Sequence, residues 1–202
     1  MLSRRTFLSV AALGAAGIAT TARAAVALPA SPAFVRPALM NKALAALDRH
    51  GSEIPQRDLI GIADFALPSG TPRFYIVDML SGRTTILHVA HGKGSDPAHS
   101  GMLQRFSNVD GSEASSAGAY RTGDVYYGKH GRSRRLVGLD PSNCNAMERA
   151  IVVHGAWYVS PDMVRQHGKL GRSQGCFAVS EAELEQVITR LGTGRMIYAD
   201  KI

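Results

Sequence analysis

Two residues in this chain have the side chains and the surroundings for nucleophilic catalysis. Gly171-Arg172-Ser173-Gln174-Gly175-Cys176-Phe177-Ala178-Val179 sets a cysteine after a turn of small and polar residues and at the head of an apolar run. That placement presents a thiol on a tight turn where a strand begins. Gly175 carries no side chain to obstruct a ligand, and the amides of Gly175 and Cys176 are candidates for stabilising a developing oxyanion. A free thiol has a pKa of about 8.5, so a nucleophilic Cys176 needs an imidazole or backbone dipoles nearby. His154 is the best candidate for that imidazole: it closes the β-branched run Ile151-Val152-Val153, where a strand leaves the core, and Gly155 follows it. A nucleophile and a general base at the ends of two strands meet only if those strands are neighbours.

The elements that would position them follow from periodicity. Pro37 opens a helix over 37–49, with Met40, Ala43, Leu44 and Leu47 at helical spacing and Gly51 as its stop. Runs rich in β-branched, aliphatic and aromatic residues predict strands over 59–65, 74–80 and 84–90, separated by Pro68-Ser69-Gly70 and Ser81-Gly82. Residues 91–118 are polar and aperiodic, a long loop of the functional or mobile kind. Strands return over 119–127, 135–139 and 150–153. Ser180-Glu181-Ala182-Glu183 is a capping box ahead of Leu184, Val187, Ile188 and Leu191 on one helical face, Gly192 stops that helix, and 195–199 reads as a closing strand. Strands dominate and no βαβ alternation is visible, which predicts an α+β domain with a mainly antiparallel sheet core and few peripheral helices.

The N-terminal segment reads as an export address. Ser3-Arg4-Arg5-Thr6-Phe7-Leu8 is a twin-arginine signature, followed by an apolar stretch to Ala19 and a small-residue cleavage signal, Ala22-Arg23-Ala24. The apolar stretch falls short of the roughly 20 residues that span a bilayer, so residues 1–24 are expected to be removed, leaving a periplasmic protein with no stable membrane insertion. Chromosomal DNA is out of reach there, and nucleic acid is not an expected partner. Residues 25–36, rich in Ala and Pro, read as a linker, 37–57 as a helix and its connection, and 58–202 as the catalytic domain. With Arg4, Arg5 and Arg23 set aside, 20 of the 23 Lys and Arg residues face 16 Asp and Glu, a mild net +4. Lys129, His130, Arg132, Arg134 and Arg135 are the densest basic cluster, read as a solvated loop or a surface that meets an anionic wall substrate.

Two cysteines in an oxidising compartment leave a non-catalytic alternative, a Cys144 to Cys176 disulfide. His88, His91, His99 and His154 lack paired-cysteine or HExxH spacing, so no metal site is expected, and His91 to Ser95 lacks the ending of a phosphate loop.

His154-Gly155 with Ser173-Gln174-Gly175-Cys176 resembles the signature of the L,D-transpeptidase catalytic domain family. Ser115-Ser116-Ala117-Gly118-Ala119-Tyr120-Arg121-Thr122-Gly123, Gly138-Leu139-Asp140 and the run from Arg149 to Val159 extend the resemblance to a divergent branch of that family over roughly residues 58–199. The best-known members carry histidine at the position of Gln174 and Arg or Asn at that of Ala178, and the His154 to Cys176 interval is longer here. The resemblance implies a peptidoglycan acyltransferase that needs no cofactor: Cys176 attacks the diaminopimelate carbonyl of a tetrapeptide stem, releases D-alanine, and passes the acyl group to an amine. His154 is then the base, oriented by Gly155, with the Gly175 and Cys176 amides as oxyanion hole. Arg172, Ser173 and Gln174 are expected to bind substrate, with Tyr120 and Ser116 lining the donor site. The insertion over 162–170 is expected to reshape the cleft rim, with His167 at the surface. Two rivals stay open at this point: an L,D-carboxypeptidase using the same Cys/His pair, and a non-catalytic wall-binding module closed by the disulfide.

Overall fold

In the strands, alternate residues face opposite sides, and here both sides are covered. A computed structural model describes residues 34–202; the twin-arginine signature, its apolar stretch, the cleavage signal and linker residues 25–33 lie outside the described residues. Eight strands, β1 (Leu59–Asp64), β2 (Phe74–Asp78), β3 (Thr84–Leu87), β4 (Gly118–Gly128), β5 (Gly131–Gly138), β6 (Val152–Gly155), β7 (Phe177–Val179) and β8 (Met196–Asp200), form one sheet in the order β3-β2-β1-β8-β4-β5-β6-β7. Five of the seven neighbouring pairs are antiparallel, and β1 with β8 and β6 with β7 are parallel, so the fold is α+β on a mainly antiparallel sheet.

One sheet face carries Ile60, Ile62, Tyr75, Met196 and Tyr198 against α1 (Pro37–Arg49), which buries Leu39, Ala43, Ala46 and Leu47. The helix range matches the spacing argument, but Leu39 and Ala46 are buried where Met40 and Leu44 were expected, and the latter two lie at the border of the stripe. The other face packs Phe74, Ile76, Tyr120, Val153, Phe177 and Ile197 under Val187 and Leu191 at the end of α3 (Leu184–Arg190). Each of these large side chains contributes about 1.5–3 kcal/mol by leaving water. The expected capping box forms only in half: Glu183 N donates to Ser180 Oγ at 3.2 Å, but Glu183 Oε2 accepts from the Ser180 hydroxyl at 2.7 Å in place of the Ser180 backbone N–H, and α3 itself starts at Leu184. At the N-terminal edge Arg36 grips Asp64 with two bonds of 2.7 Å, so the final linker residues are tied to the sheet.

Three local elements differ from the sequence expectation, each for a physical reason. β5 begins at Gly131 rather than 135, so the basic cluster forms a turn and strand arm in place of a loop. Gly128 pairs with Gly131, Lys129 and His130 occupy the two-residue turn, and a register shift between Thr122 and Val125 adds twist to the hairpin. β6 begins only at Val152, because Ala150 lies at φ 52°, in the left-handed region, where the chain turns into the strand. The third is α2 (Pro161–His167), where no helix was expected. Ser160 caps it by accepting from Met163 N at 3.2 Å, Pro161 occupies its first turn, and Gly168 ends it at φ 69°. The unit β6-α2-β7 is therefore a small βαβ crossover, the connection that a parallel pair requires.

The aperiodic segment 91–117 is pinned by polar bonds. Asp96 accepts from Ser100 N, Gly101 N and Ser100 Oγ at 2.8–2.9 Å, and Arg149 donates to Ser107 O, Ser112 Oγ, Ala114 O and Ser116 Oγ. Side chains that bond to local backbone leave no hydrophobic period to read.

Candidate functional site

Strand pairing brings the two chemical groups together. β6 runs parallel to β7 with Val153 opposite Phe177 and His154 opposite Ala178, which sets Cys176 level with Val152. Because the side-chain period is two, Val153 and Phe177 point into the core while His154 and Cys176 share the opposite face as diagonal neighbours. Both open on one cavity of about 260 Å³. Its wall comes from the β4–β5 hairpin (Tyr126, Lys129, His130), from the turn into β6 (Arg149, Ala150), from Tyr158 after β6, and from Arg172, Ser173 and Gln174 before Cys176.

Cys176 stands where a substituted residue 175 would not fit. Gly175 has φ 112°, and a Cβ there would lie 2.7 Å from Ala114 O and 2.8 Å from Ile151 Cδ1. The turn is closed by Ser173, whose hydroxyl donates to Cys176 O at 2.7 Å and accepts from Gly175 N at 3.1 Å. That bond corrects one expectation: the Gly175 amide is engaged by Ser173 Oγ and does not face the cavity free. The Cys176 amide lies against its own sulfur.

The Cys176 thiol donates to Ala150 O at 3.6 Å. Burial pushes its pKa up, against the opposing pull of the Val152 amide and the Lys129 and Arg149 charges. His154 Nδ1 lies 2.9 Å from Gly155 O; a carbonyl only accepts, so Nδ1 carries the proton and Nε2 keeps its lone pair. Burial lowers the pKa of His154, the Gly155 bond opposes this, and the charges of His130 and Lys129 add to the lowering. The His130 ring stacks on that of His154 at 4.3 Å between centroids, with 19° between planes. The resting site therefore holds a neutral thiol and a neutral imidazole. No hydrogen bond joins the two groups: the thiol is bonded to Ala150 O and the imidazole to Gly155 O.

The two outlying donor-site residues are not at the cavity. Tyr120 is fully buried, donates its hydroxyl to Ser116 O at 2.8 Å and packs edge-on against Phe177. Ser116 is also buried, donating to Ser107 O and accepting from Arg149. Tyr120 lies within β4, a central strand, and Ser116 just ahead of it, so both side chains are packed inside. Nor does 162–170 line the cavity. Leu170 N donates to Ser69 Oγ and Gly168 backs onto Gly70, so this insertion packs against the β1–β2 connection, with His167 exposed.

Arg172 reaches back to Asp96 O and Pro97 O, and Gln174 Nε2 donates to Glu113 Oε1 at 2.8 Å. Ala178 is fully buried among Ala90, Val164 and Leu170 and presents nothing polar. Sequence reasoning missed Tyr126, Arg149 and Tyr158 as wall residues, and saw Lys129 and His130 only as part of a basic cluster, either a solvated loop or a surface that meets an anionic wall substrate. The signal available was the Gly128 to Gly131 spacing around a two-residue turn, which places 129 and 130 at a hairpin tip.

The other histidines serve packing. His88 meets Gly70 O, His99 meets Leu170 O, and His91 is sealed beside Arg73. Among the described residues no group of three or more His, Cys, Asp or Glu is placed to hold a metal ion. Cys144 is exposed and Cys176 buried, and both are free thiols, which removes the Cys144 to Cys176 disulfide from this structure.

The profile of the L,D-transpeptidase catalytic domain matches residues 33–199. The chain belongs to that family. The L,D-transpeptidase family acts on peptidoglycan. No curated protein matches the chain. Among solved structures, an L,D-transpeptidase from Mycobacterium tuberculosis is 11% identical over 71% of this chain and 58% of its own, with TM-score 0.45. One from Xylanimonas cellulosilytica is 16% identical over 78% and 68%, with TM-score 0.42, and the helical cell shape determining protein Pgp2 from Campylobacter jejuni is 12% identical over 83% and 57%, with TM-score 0.42. The aligned part covers about three-fifths of the mycobacterial chain. Among the described residues no helix is long and apolar enough to cross a membrane.

Proposed function

We propose that this L,D-transpeptidase-family protein is a cysteine acyltransferase, with Cys176 as nucleophile and His154 as general base. The observation that carries the reading is the parallel pairing of β6 and β7, which sets both side chains on one face and into one cavity. His154 Nε2 takes the thiol proton as Cys176 Sγ bonds to the diaminopimelate carbonyl carbon of a tetrapeptide stem. The carbonyl electron pair moves to oxygen, where the Cys176 amide receives it; the Gly175 amide joins only by leaving Ser173 Oγ. Collapse of this intermediate expels the D-alanine amine, which takes its proton from the imidazolium, and leaves a thioester. An acceptor amine then attacks, gives its proton to His154, and the departing sulfur takes that proton back. Gly155 O fixes the tautomer that leaves Nε2 as the base. Every step is proton and acyl transfer between groups of the protein and its substrates.

Arg172, Ser173 and Gln174 are proposed to frame the donor peptide, while Ser173 also holds the turn. The periplasm is the proposed compartment, on the twin-arginine signature of residues 1–24, with 25–36 as linker and the catalytic domain beyond it. The reading is tested by incubating purified protein with tetrapeptide muropeptides. An acyl adduct on Cys176 and cross-linked dimers in the mass spectrum are expected. Free tripeptide without dimers would make water the acceptor and the protein an L,D-carboxypeptidase, and neither adduct nor product would sink the enzyme.

A further inference from the structure

The cavity beside Cys176 gathers positive charge with no carboxylate among its described lining residues. Its wall contains Lys129, Arg149 and Arg172 and no Asp or Glu. Arg149 is held by two carbonyls and two hydroxyls, and Arg172 by two carbonyls, all uncharged acceptors, so both guanidinium charges stay uncompensated. Lys129 has neither an ion pair nor a hydrogen bond among the described residues, although its charge reaches Cys176, His154 and His130. Glu113, which meets the wall residue Gln174, is already paired with Lys93. Other cations do meet an acid, as Arg36 with Asp64 and Arg195 with Asp58, while the buried Arg73 and Arg134 are, like Arg149 and Arg172, held by uncharged acceptors. What sets the cavity apart is that three cations without an acid line one open space. Three clustered cations with no anion repel one another in a half-enclosed space, at a cost relieved when an anion enters.

From this we infer that the cavity is a carboxylate clamp: Lys129, at the tip of the β4–β5 hairpin, pairs with a carboxylate of the donor peptide adjacent to the bond being broken, and Arg172 and Arg149 supply the supporting field. The inference rests on the peptide-acyl reading of the site. The donor offers two such groups, the side-chain carboxylate of the residue that supplies the carbonyl and the C-terminal carboxylate of the residue that leaves. A lysine ammonium suits this task because it is a mobile point charge with three donors, presented on a turn that can follow the ligand.

Binding is measured by calorimetry on the Cys176→Ala variant, which cannot turn over, with three tetrapeptides: both carboxylates free, side chain amidated, and C-terminus amidated. One amidation is expected to weaken binding about ten-fold, and to lose that effect when Lys129→Gln is added, since a charge-assisted bond to a carboxylate is worth about that much. Which amidation matters identifies the carboxylate. Equal affinity for all three peptides, no binding of any, or an equal loss for all three on Lys129→Gln overturns the clamp. Lys129 is exposed on a turn, so the substitution leaves the core untouched, and Arg172→Gln serves as a second variant with the same readout. Turnover by the unmodified enzyme is scored separately: discrimination without any acyl adduct leaves the clamp and sinks the transpeptidase reading, while equal turnover of all three peptides does the reverse.

Discussion

His91 and His154 are both buried imidazoles on the two sides of the Cys176 turn, and burial lowers the pKa of each, yet only one is placed to move a proton. His91 accepts from Arg73 at Nδ1, 2.8 Å away, and its Nε2 sits 3.4 Å from Asp96 Oδ2, enclosed on every side. Burial first, then the Arg73 charge, push its pKa down to about 3. Its carbonyl accepts from Ser173 N, so it braces the turn through backbone while its ring fills a polar knot. His154 has one nitrogen tied to Gly155 O and leaves the other toward a cavity that also holds a thiol. Depressed basicity is common to both; a free lone pair facing a cavity that also holds a thiol separates them.

The sharpest way to break that comparison is to remove each group in turn. Cys176→Ala should abolish turnover and covalent trapping, while Cys144→Ala, at an exposed site, leaves both intact and stability within about 0.5 kcal/mol; equal losses would return the cysteines to a structural role. His154→Ala should lower kcat/KM about 10²–10⁴-fold with little change in Tm. In contrast, Arg73→Met should cost about 3 kcal/mol of stability, read as a fall in urea midpoint. It strands Leu67 O, Val89 O and His91 Nδ1 while the folded fraction keeps its kcat/KM. If Arg73→Met and His154→Ala gave the same pattern, the two regions would not be distinct.

Acidity sharpens the contrast further. A folded pKa below the unfolded one means that the unfolded chain takes the proton first, so stability falls as pH drops below about 6.5. For His91 that loss continues until pH approaches its folded pKa of about 3. His91→Gln should therefore flatten the decline of Tm between pH 6.5 and 4, and an unchanged slope would remove His91 as its source. For His154 the same direction of shift keeps the base form present at lower pH, so the acid limb of kcat/KM should fall below the ordinary imidazole value. A limb above it would assign the base to another group. The smallest effect expected is in thiol labelling: with its pKa raised, Cys176 should react with iodoacetamide more slowly than exposed Cys144 at pH 7 and speed up toward alkaline pH.

Much of this molecule was written in local pattern. The 37–49 helix, the helix after Ser180, the strands around Ile62, Ile76 and Ile197 and the proposal of Cys176 and His154 as a pair follow from periodicity, turn chemistry and residue type, all of which act over a few positions. Composition and spacing could not say that β6 lies beside β7, because strand neighbours are chosen by packing across long loops. Tyr120 shows the limit from the other side: its place near a motif suggested contact with substrate, and its position in a central strand turned the ring into the core. Lys129 and His130 read as part of a basic cluster, a solvated loop or a substrate-facing surface, until the hairpin set both in the cavity wall with His130 stacked on His154. Sequence alone set which groups can react and which segments are helix or strand, since those depend on covalent chemistry and near neighbours. Tertiary structure alone decided which of them share a cavity, which amide is already engaged, and where positive charge is left without a partner, because each of those is a distance between residues far apart in the chain.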